Sequence, residues 1–299
     1  MRGIWTALIT PFNRQNELDL DSFRKLLQDQ RDAGIAGVIP CGTTGEAPTL
    51  TLEEKKTLIQ VAVDELKGSH THVFAGTGTN NTQDTLELSV WAAKAGAQGV
   101  LLITPYYNKP SQAGLEAHFR KVADAVSCEV MLYNVPARTG VSLTPQTVVN
   151  LAGHPRIRSL KEASGNPAVT SAVIDRLTAA KLQLDILSGD DPTFLPLLSV
   201  GAVGVVSVAS NLFPRAMIEI QNKFEAGKVL DAQTLHHKFY PLFRDLFLDS
   251  NPVPLKHAMA FAGFGSAQVR LPLVGLSPEN ARQLDQSLKQ CGISPGKKF

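Results

Sequence analysis

Residues 99–134, GVLLITPYYNKPSQAGLEAHFRKVADAVSCEVMLYN, carry the plan of the chain in a single repeat. An apolar run at Gly99–Thr104 leads into a loop closed by Pro110, then a helical pattern over Gln112–Val126, then a second apolar run at Glu129–Asn134. Both runs are continuous rather than alternating, the pattern of parallel strands covered on both faces. Working outward, similar runs occur at Gly3–Thr10, Gly37–Cys41, His72–Gly76, Ile157–Glu162, Leu184–Ser188 and Gly204–Val208, which makes eight.

Helical patterns with their own start and stop signals lie between these runs. Asp21–Ala33 places Phe23, Leu26, Leu27 and Gln30 on one stripe and stops at Gly34. Thr51-Leu-Glu-Glu opens the next helix as a capping-box sequence. Thr82–Ala95 ends before Gly96, and Thr144–Ala152 ends before Gly153. Asn166–Ala180 and Pro192–Val200 follow, and Pro214–Ala226 ends before Gly227. Regular alternation of this kind means a parallel α/β architecture, either a closed barrel or an open doubly wound sheet. Eight units within residues 1–227 match the size of a closed barrel, and no G-x-G-x-x-G follows the first run as it does in open dinucleotide-binding sheets. The expected fold is therefore a (β/α)8 TIM barrel, with residues 1–227 as catalytic domain and 228–299 as a C-terminal helical extension. That extension is expected to be interrupted at Pro252, Pro254, Pro272 and Pro278, and the terminal SPGKKF to be loose.

Composition narrows the function classes. The formal net charge is +2 and no Lys/Arg cluster stands out, which disfavours nucleic acid and anionic membranes as partners. Cys41, Cys128 and Cys291 are odd in number and far apart, against a disulfide framework or a cysteine zinc site and in keeping with a reducing compartment. The opening MRGIWTALITPFN has a short apolar run ended by Pro11 and no small-residue cleavage site after it. The expectation is a soluble, cytoplasmic enzyme.

In a barrel of this type the chemistry sits at the carboxyl ends of the strands. Those ends read TPF, CGTTGE, GTGTNN, TPYYNKP, YNVPARTG, KEASG, SGDD and SVASN. None offers a His pair, or a His with nearby carboxylates, at metal-ligand spacing, so no metal is expected. Lys161 follows Ile157 and Leu160 at the end of the sixth strand. One reading is a strand-end lysine paired with Glu162 and facing solvent. The other follows from location: an amine in a barrel mouth is partly desolvated, loses its proton more easily and attacks a carbonyl to form a Schiff base.

Tyr133 ends the adjacent fifth strand, within reach of such an imine, or is a rim aromatic of the core. Gly42-Thr43-Thr44-Gly45 brings backbone N–H groups and two hydroxyls to a ligand, or is only a tight turn. Arg138 can hold a carboxylate in bidentate fashion, or is a surface arginine. Tyr106 and Tyr107 serve equally as lid, substrate contact or subunit interface. Asp190 and Asp191 argue against a phosphate site in the loop after the seventh strand, which points to plain carboxylate substrates.

These strand ends together resemble the family of dihydrodipicolinate synthase and N-acetylneuraminate lyase, the pyruvate-dependent class I lyases and aldolases. The likeness runs through TALITPF, GTTGE at Gly42–Glu46, AGTGTN at Ala75–Asn80, TPYYNKPSQ at Thr104–Gln112, YNVPARTG at Tyr133–Gly140, KEASG at Lys161–Gly165, SGDD at Ser188–Asp191 and NPVPLKHA at Asn251–Ala258. The resemblance implies that Lys161 forms a Schiff base with pyruvate and that no separate cofactor is used. It implies a proton relay of Tyr133, Thr43 and Tyr107, with Tyr107 reaching into a neighbouring subunit of a homotetramer. Thr44 and Val206 would bind pyruvate, Gly189 would belong to the substrate-binding residues, and Arg138 would hold the carboxylate of L-aspartate 4-semialdehyde. The sugar-acid lyases of the family typically lack that arginine, so Arg138 favours condensation, a step of lysine and diaminopimelate synthesis, over sugar-acid cleavage. A barrel retained only for binding would be expected to have lost Lys161 or Tyr133, and both are present.

One part of the pattern departs. Family members inhibited by lysine carry a pocket that Asn80 and Tyr106 match, but Asp84 is shorter than its usual glutamate. Ala47-Pro48, Leu52 and Lys55 fall where sensitive members often have polar or histidine residues, and Lys55 would repel a lysine ligand. Feedback inhibition is accordingly expected to be weak or absent. Titrating activity with L-lysine checks this, and strong inhibition at sub-millimolar concentration would contradict it.

Overall fold

The computed structural model describes residues 1–296. Its order is β1 (Gly3–Ala7), α1 (Leu20–Ala33), β2 (Gly37–Ile39), α2 (Leu52–Glu65), β3 (His72–Gly76), α3 (Thr82–Lys94), β4 (Gly99–Ile103) and α4 (Gln112–Ala125). It continues with β5 (Glu129–Asn134), α5 (Pro136–Thr139), α6 (Pro145–Ala152), β6 (Ile157–Glu162), α7 (Pro167–Ala179), β7 (Asp185–Ser188), α8 (Phe194–Ser199) and β8 (Gly204–Ser207). After the strands come α9 (Pro214–Glu225), α10 (Val229–Asp245), α11 (Val253–Phe261) and α12 (Pro278–Gln290). The strands join in sequence order into a closed parallel barrel, β1 to β8. The eight-unit (β/α)8 architecture read from the alternation is the one observed.

Two compact units make up the chain. The first comprises Met1–Gly3 with His72–Val206, and the second comprises Ile4–Thr71 with the chain from Ser207 onward. In the first, β4 is apolar throughout, β5 is apolar from Val130 to Tyr133, and β6 is buried at every residue but Arg158 although half of its residues are charged; Val130 to Asn134 are all buried. In the second, the α1 stripe of Phe23, Leu26, Leu27 and Gln30 is buried as its spacing predicts. Gln30 tolerates burial because its amide is satisfied: Thr6 Oγ1 donates to Gln30 Oε1 (2.6 Å) and Gln30 Nε2 donates to the Ser210 carbonyl (3.0 Å). The Thr51 box is also present, with the Glu54 N–H on Thr51 Oγ1 (3.2 Å) and the Thr51 N–H on Glu54 Oε2 (2.9 Å).

Several boundaries differ from the sequence reading. β1 stops at Ala7 rather than Thr10, because the Asn211 side chain takes over the backbone there. Asn211 accepts from the Ile9 N–H (3.2 Å) and donates to the Ala7 carbonyl (2.7 Å). Pro254 and Pro278 do not interrupt helices but sit in the first turns of α11 and α12, where the missing N–H costs nothing. Pro252 is the residue that precedes α11, and Pro241 lies inside α10. The short α5 has no counterpart in the sequence pattern; it is held at its end by Gly140 in the left-handed conformation. The expectation of a loose end falls partly on residues 297–299, outside the described residues. Among the described residues no helix is long and apolar enough to cross a membrane.

Glycine is required where strands approach closely. A Cβ on Gly204 would lie 2.0 Å from the Gly3 carbonyl oxygen, a backbone atom that cannot swing aside. Gly204→Ala should therefore lower stability by about 1–3 kcal/mol, as overpacking does. Gly275→Ala, where a Cβ meets nothing within 4 Å, serves as the control in the same denaturant titration.

Candidate active site

The site is built on the register of β5 against β6. Tyr133 pairs with Lys161, and Asn134 pairs with Glu162. Successive side chains of a strand point to opposite faces, so the Tyr133/Lys161 pair and the Asn134/Glu162 pair face opposite ways. Lys161 is 5% exposed, and its Nζ lies 4.3 Å from the centroid of the Tyr133 ring. The solvent-facing reading of Lys161 fails on both counts. The amine is buried, and Glu162 is engaged elsewhere: it accepts from Asn134 Nδ2 (2.9 Å) and from the Ser164 N–H (2.6 Å).

Burial dominates the electrostatics. Loss of water pushes the Lys161 amine down from its usual 10.5 to about 7. The Asp191 carboxylate opposes that fall, the Arg138 guanidinium adds to it, and Asp190 opposes it more weakly. Near neutral pH a large fraction of the amine is thus unprotonated and nucleophilic, whereas an exposed lysine would be almost wholly charged. In the sequence, Asp190 and Asp191 do no more than exclude phosphate. Their second effect, on the charge of the lysine, depends on how β7 sits beside β6. Asp190 also accepts from the N–H (2.9 Å) and hydroxyl (2.6 Å) of Thr193, which orders the turn before α8.

Arg138 is exposed and stands on α5, the single helical turn after β5. Thr139 braces that turn from beneath, its hydroxyl close to the Val141 carbonyl (2.8 Å) and to Thr104 Oγ1 (3.2 Å). Gly189 is buried after β7, and its N–H donates to the Glu162 carbonyl (2.7 Å). A Cβ at Gly189 would meet Ala163 at 2.4 Å, so only glycine lets the two strand ends meet here. Val206 is fully buried in β8. Tyr107, by contrast, is 89% exposed and adopts a positive φ of 72°, a conformation rare for a side chain of this size. The first unit thus gathers Lys161 and Tyr133, with Arg138, Asp190 and Asp191 acting on the amine, and leaves Tyr107 turned outward.

Thr43 and Thr44 belong to the second unit, in the turn after β2. Thr44 is buried and accepts a hydrogen bond from Asn251 Nδ2 (2.8 Å), while the Thr43 carbonyl takes the Glu46 N–H (3.0 Å). The turn is anchored by a pair whose members come from two separate motifs, GTTGE and NPVPLKHA. Glu46, at a positive φ of 54°, receives the ammonium of the fully buried Lys256 on one carboxylate oxygen. Its other oxygen takes the Arg270 N–H (3.0 Å). Lys256 lies 4.0 Å from the centre of the Phe12 ring and donates to the Gln268 carbonyl (2.8 Å). Such a pair is costly to bury and more costly to break. Glu46 and Lys256 are 210 positions apart, so although each lies in a short motif, neither motif reveals that the two pair.

Comparison with known proteins adds a second line of observation. A model of the Dihydrodipicolinate synthetase family matches residues 1–291. The chain is 47% identical over 283 residues to the 4-hydroxy-tetrahydrodipicolinate synthase of Methanothrix thermoacetophila, covering 95% of this chain and 94% of that protein. It is 45% identical over 296 residues to the synthase of the same name from Leptospira biflexa serovar Patoc, covering 98% and 99%. Among solved structures it is similar to the dihydrodipicolinate synthase of Acinetobacter baumannii complexed with pyruvate. That match has a TM-score of 0.93 at 38% identity and covers 98% of this chain and 99% of the other.

The lowered Lys161 pKa predicts a pH profile. The sign is set by the amine, which attacks carbonyls only when neutral: imine formation should rise as pH passes about 7 and level off above it. Initial rates of borohydride-trapped adduct formation, measured across the pH range, check this. A rise that continued to 10.5, the ordinary lysine value, would mean that the amine is not desolvated.

Proposed function

The chain belongs to the dihydrodipicolinate synthetase family, and we propose that it acts as a 4-hydroxy-tetrahydrodipicolinate synthase, a lyase that joins pyruvate to L-aspartate 4-semialdehyde through Lys161. The observation that carries the reading is a buried amine of lowered pKa set against the ring of Tyr133 at the end of a barrel strand. The neutral Nζ attacks the keto carbon of pyruvate, and water leaves as the iminium forms. The iminium withdraws electrons from the neighbouring methyl group, which gives up a proton to yield an enamine. The enamine carbon then attacks the aldehyde. The amino group that the semialdehyde brings then attacks the imine carbon, and the ring closes as the C–N bond to Lys161 breaks; the lysine leaves as its free amine, so no separate cofactor is consumed.

Roles follow from the resemblance in sequence and from surroundings. Tyr133, Thr43 and Tyr107 relay protons, with Tyr107 serving a neighbouring subunit of a homotetramer, and its outward exposure suits that assignment. Thr44 and Val206 hold pyruvate, and Gly189 belongs to the substrate-binding set. Arg138 receives the carboxylate of the semialdehyde, the bidentate partner its guanidinium matches. By role, residues 1–227 are the catalytic domain of a cytoplasmic enzyme and the chain from residue 228 onward is its C-terminal extension, a division that differs from the two compact units.

Borohydride reduction with pyruvate, followed by peptide mass analysis, should place the adduct on Lys161. No adduct, or one on another lysine, would overturn the site. Arg138→Ala should leave trapping intact but reduce kcat/KM for the semialdehyde by about 100-fold, the scale of a lost charge-assisted hydrogen bond.

A further inference from the structure

The face of β5 and β6 that turns away from Lys161 carries a second polar construction, and the reaction as described makes no use of it. Asn134 and Glu162 are both buried, at 0% and 2% exposure. The Asn134 amide is committed at both ends. Its Nδ2 donates to Glu162 Oε2 (2.9 Å), while its Oδ1 accepts from the Leu143 N–H (3.0 Å) and the Ser142 hydroxyl (3.3 Å). The other Glu162 oxygen takes the Ser164 N–H (2.6 Å). The segment tied down by the bond to Leu143 begins at the end of β5 and contains α5, hence Arg138. The Glu162 carboxylate is thus held by an amide and a backbone N–H, groups that fix direction.

We propose that Glu162 and Asn134 are positioning residues for the synthase reaction, a relay whose polarity closes the base of the Arg138 loop and so sets where the second substrate's carboxylate is held. The proposal rests on the synthase reading above. Its logic is directional. The Leu143 backbone offers only a donor here, so Asn134 must present oxygen to it and N–H to position 162. Only an acceptor at position 162 completes the chain. Glu162→Gln breaks it, because the new amide nitrogen either faces Asn134 Nδ2 or leaves its oxygen there and abandons the Ser164 N–H. Asn134→Asp breaks it by setting two carboxylates against each other. The double change N134D/E162Q restores every bond. The carboxylate then at position 134 accepts from Leu143, from Ser142 and from the amide nitrogen at position 162, whose carbonyl oxygen accepts from Ser164. One charge is kept, moved by one side chain.

The experiment measures KM and kcat for both substrates, together with borohydride trapping of pyruvate, in the parent, both single variants and the double. Each single change should raise KM for the semialdehyde by about tenfold or more, the scale of one buried hydrogen bond lost. KM for pyruvate and trapping on Lys161 should stay near the parent. The double should return the semialdehyde KM to within about threefold of the parent, a coupling that independent sites do not show. If a single variant does not fold, Asn134→Ser, which removes the link without adding charge, takes its place and should show the same split between substrates. Single variants that match the parent, or a double no better than the worse single, would overturn the relay. A parent that traps no pyruvate would instead overturn the synthase reading.

Discussion

The parallel register of β5 on β6 is the constraint from which the site follows. Pairing Tyr133 with Lys161 sends both side chains to one face, and the period of two then sends Asn134 and Glu162 to the other. A slip of one residue would exchange the two faces. A slip in one direction would put the lysine where neutral donors now hold a carboxylate, and a slip in the other would put the carboxylate beside the tyrosine ring. The continuous apolar stretch Val130–Leu132 and the buried Ser159–Leu160 resist such a slip, because both faces of the strands are packed.

Burying Lys161 has a thermodynamic consequence as well as a chemical one. Its folded-state pKa, about 7, lies below the ordinary 10.5. The unfolded chain therefore binds that proton more tightly, and the lysine lowers stability as pH falls from about 10.5 towards 7, with the full penalty present below. The penalty is on the order of a few kcal/mol, a substantial part of a domain's net stability. The apolar surface of the strands and the satisfied polar groups around it offset this cost. The same desolvation that weakens the fold keeps the amine nucleophilic at neutral pH, so the two effects cannot be separated by adjusting the surroundings of Lys161 alone.

The second unit handles its buried charge differently. Lys256 keeps a direct carboxylate partner in Glu46, a carbonyl acceptor and an aromatic face, and it falls less far, to about 8. Glu54 and Arg270 continue the network outward, the arginine holding the Glu54 carboxyl below its usual range. The result is a rigid support for the turn that carries Thr43 and Thr44. Two lysines of one chain thus show what the partner decides: a paired amine anchors, and one left mainly to desolvation becomes reactive.

Alternation of continuous apolar runs with capped helical stripes was enough to determine the barrel, its eight strands and most of their limits. Parallel strands buried on both faces and helices with one buried stripe leave periodic marks in any sequence that forms them. The family motifs marked Lys161, Tyr133 and Arg138 for the same reason, as short local strings. What the sequence left open were the partners. Whether Lys161 faced Glu162 or an aromatic wall depended on strand register, and whether Asp190 and Asp191 acted on the amine depended on the placing of β7 beside β6. The Asn134–Glu162 link joins residues 28 positions apart and the Glu46–Lys256 pair joins residues 210 apart. Hydrogen bonds and charges act over a few ångströms in space without regard to separation along the chain, so only the folded structure could decide which of these groups meet.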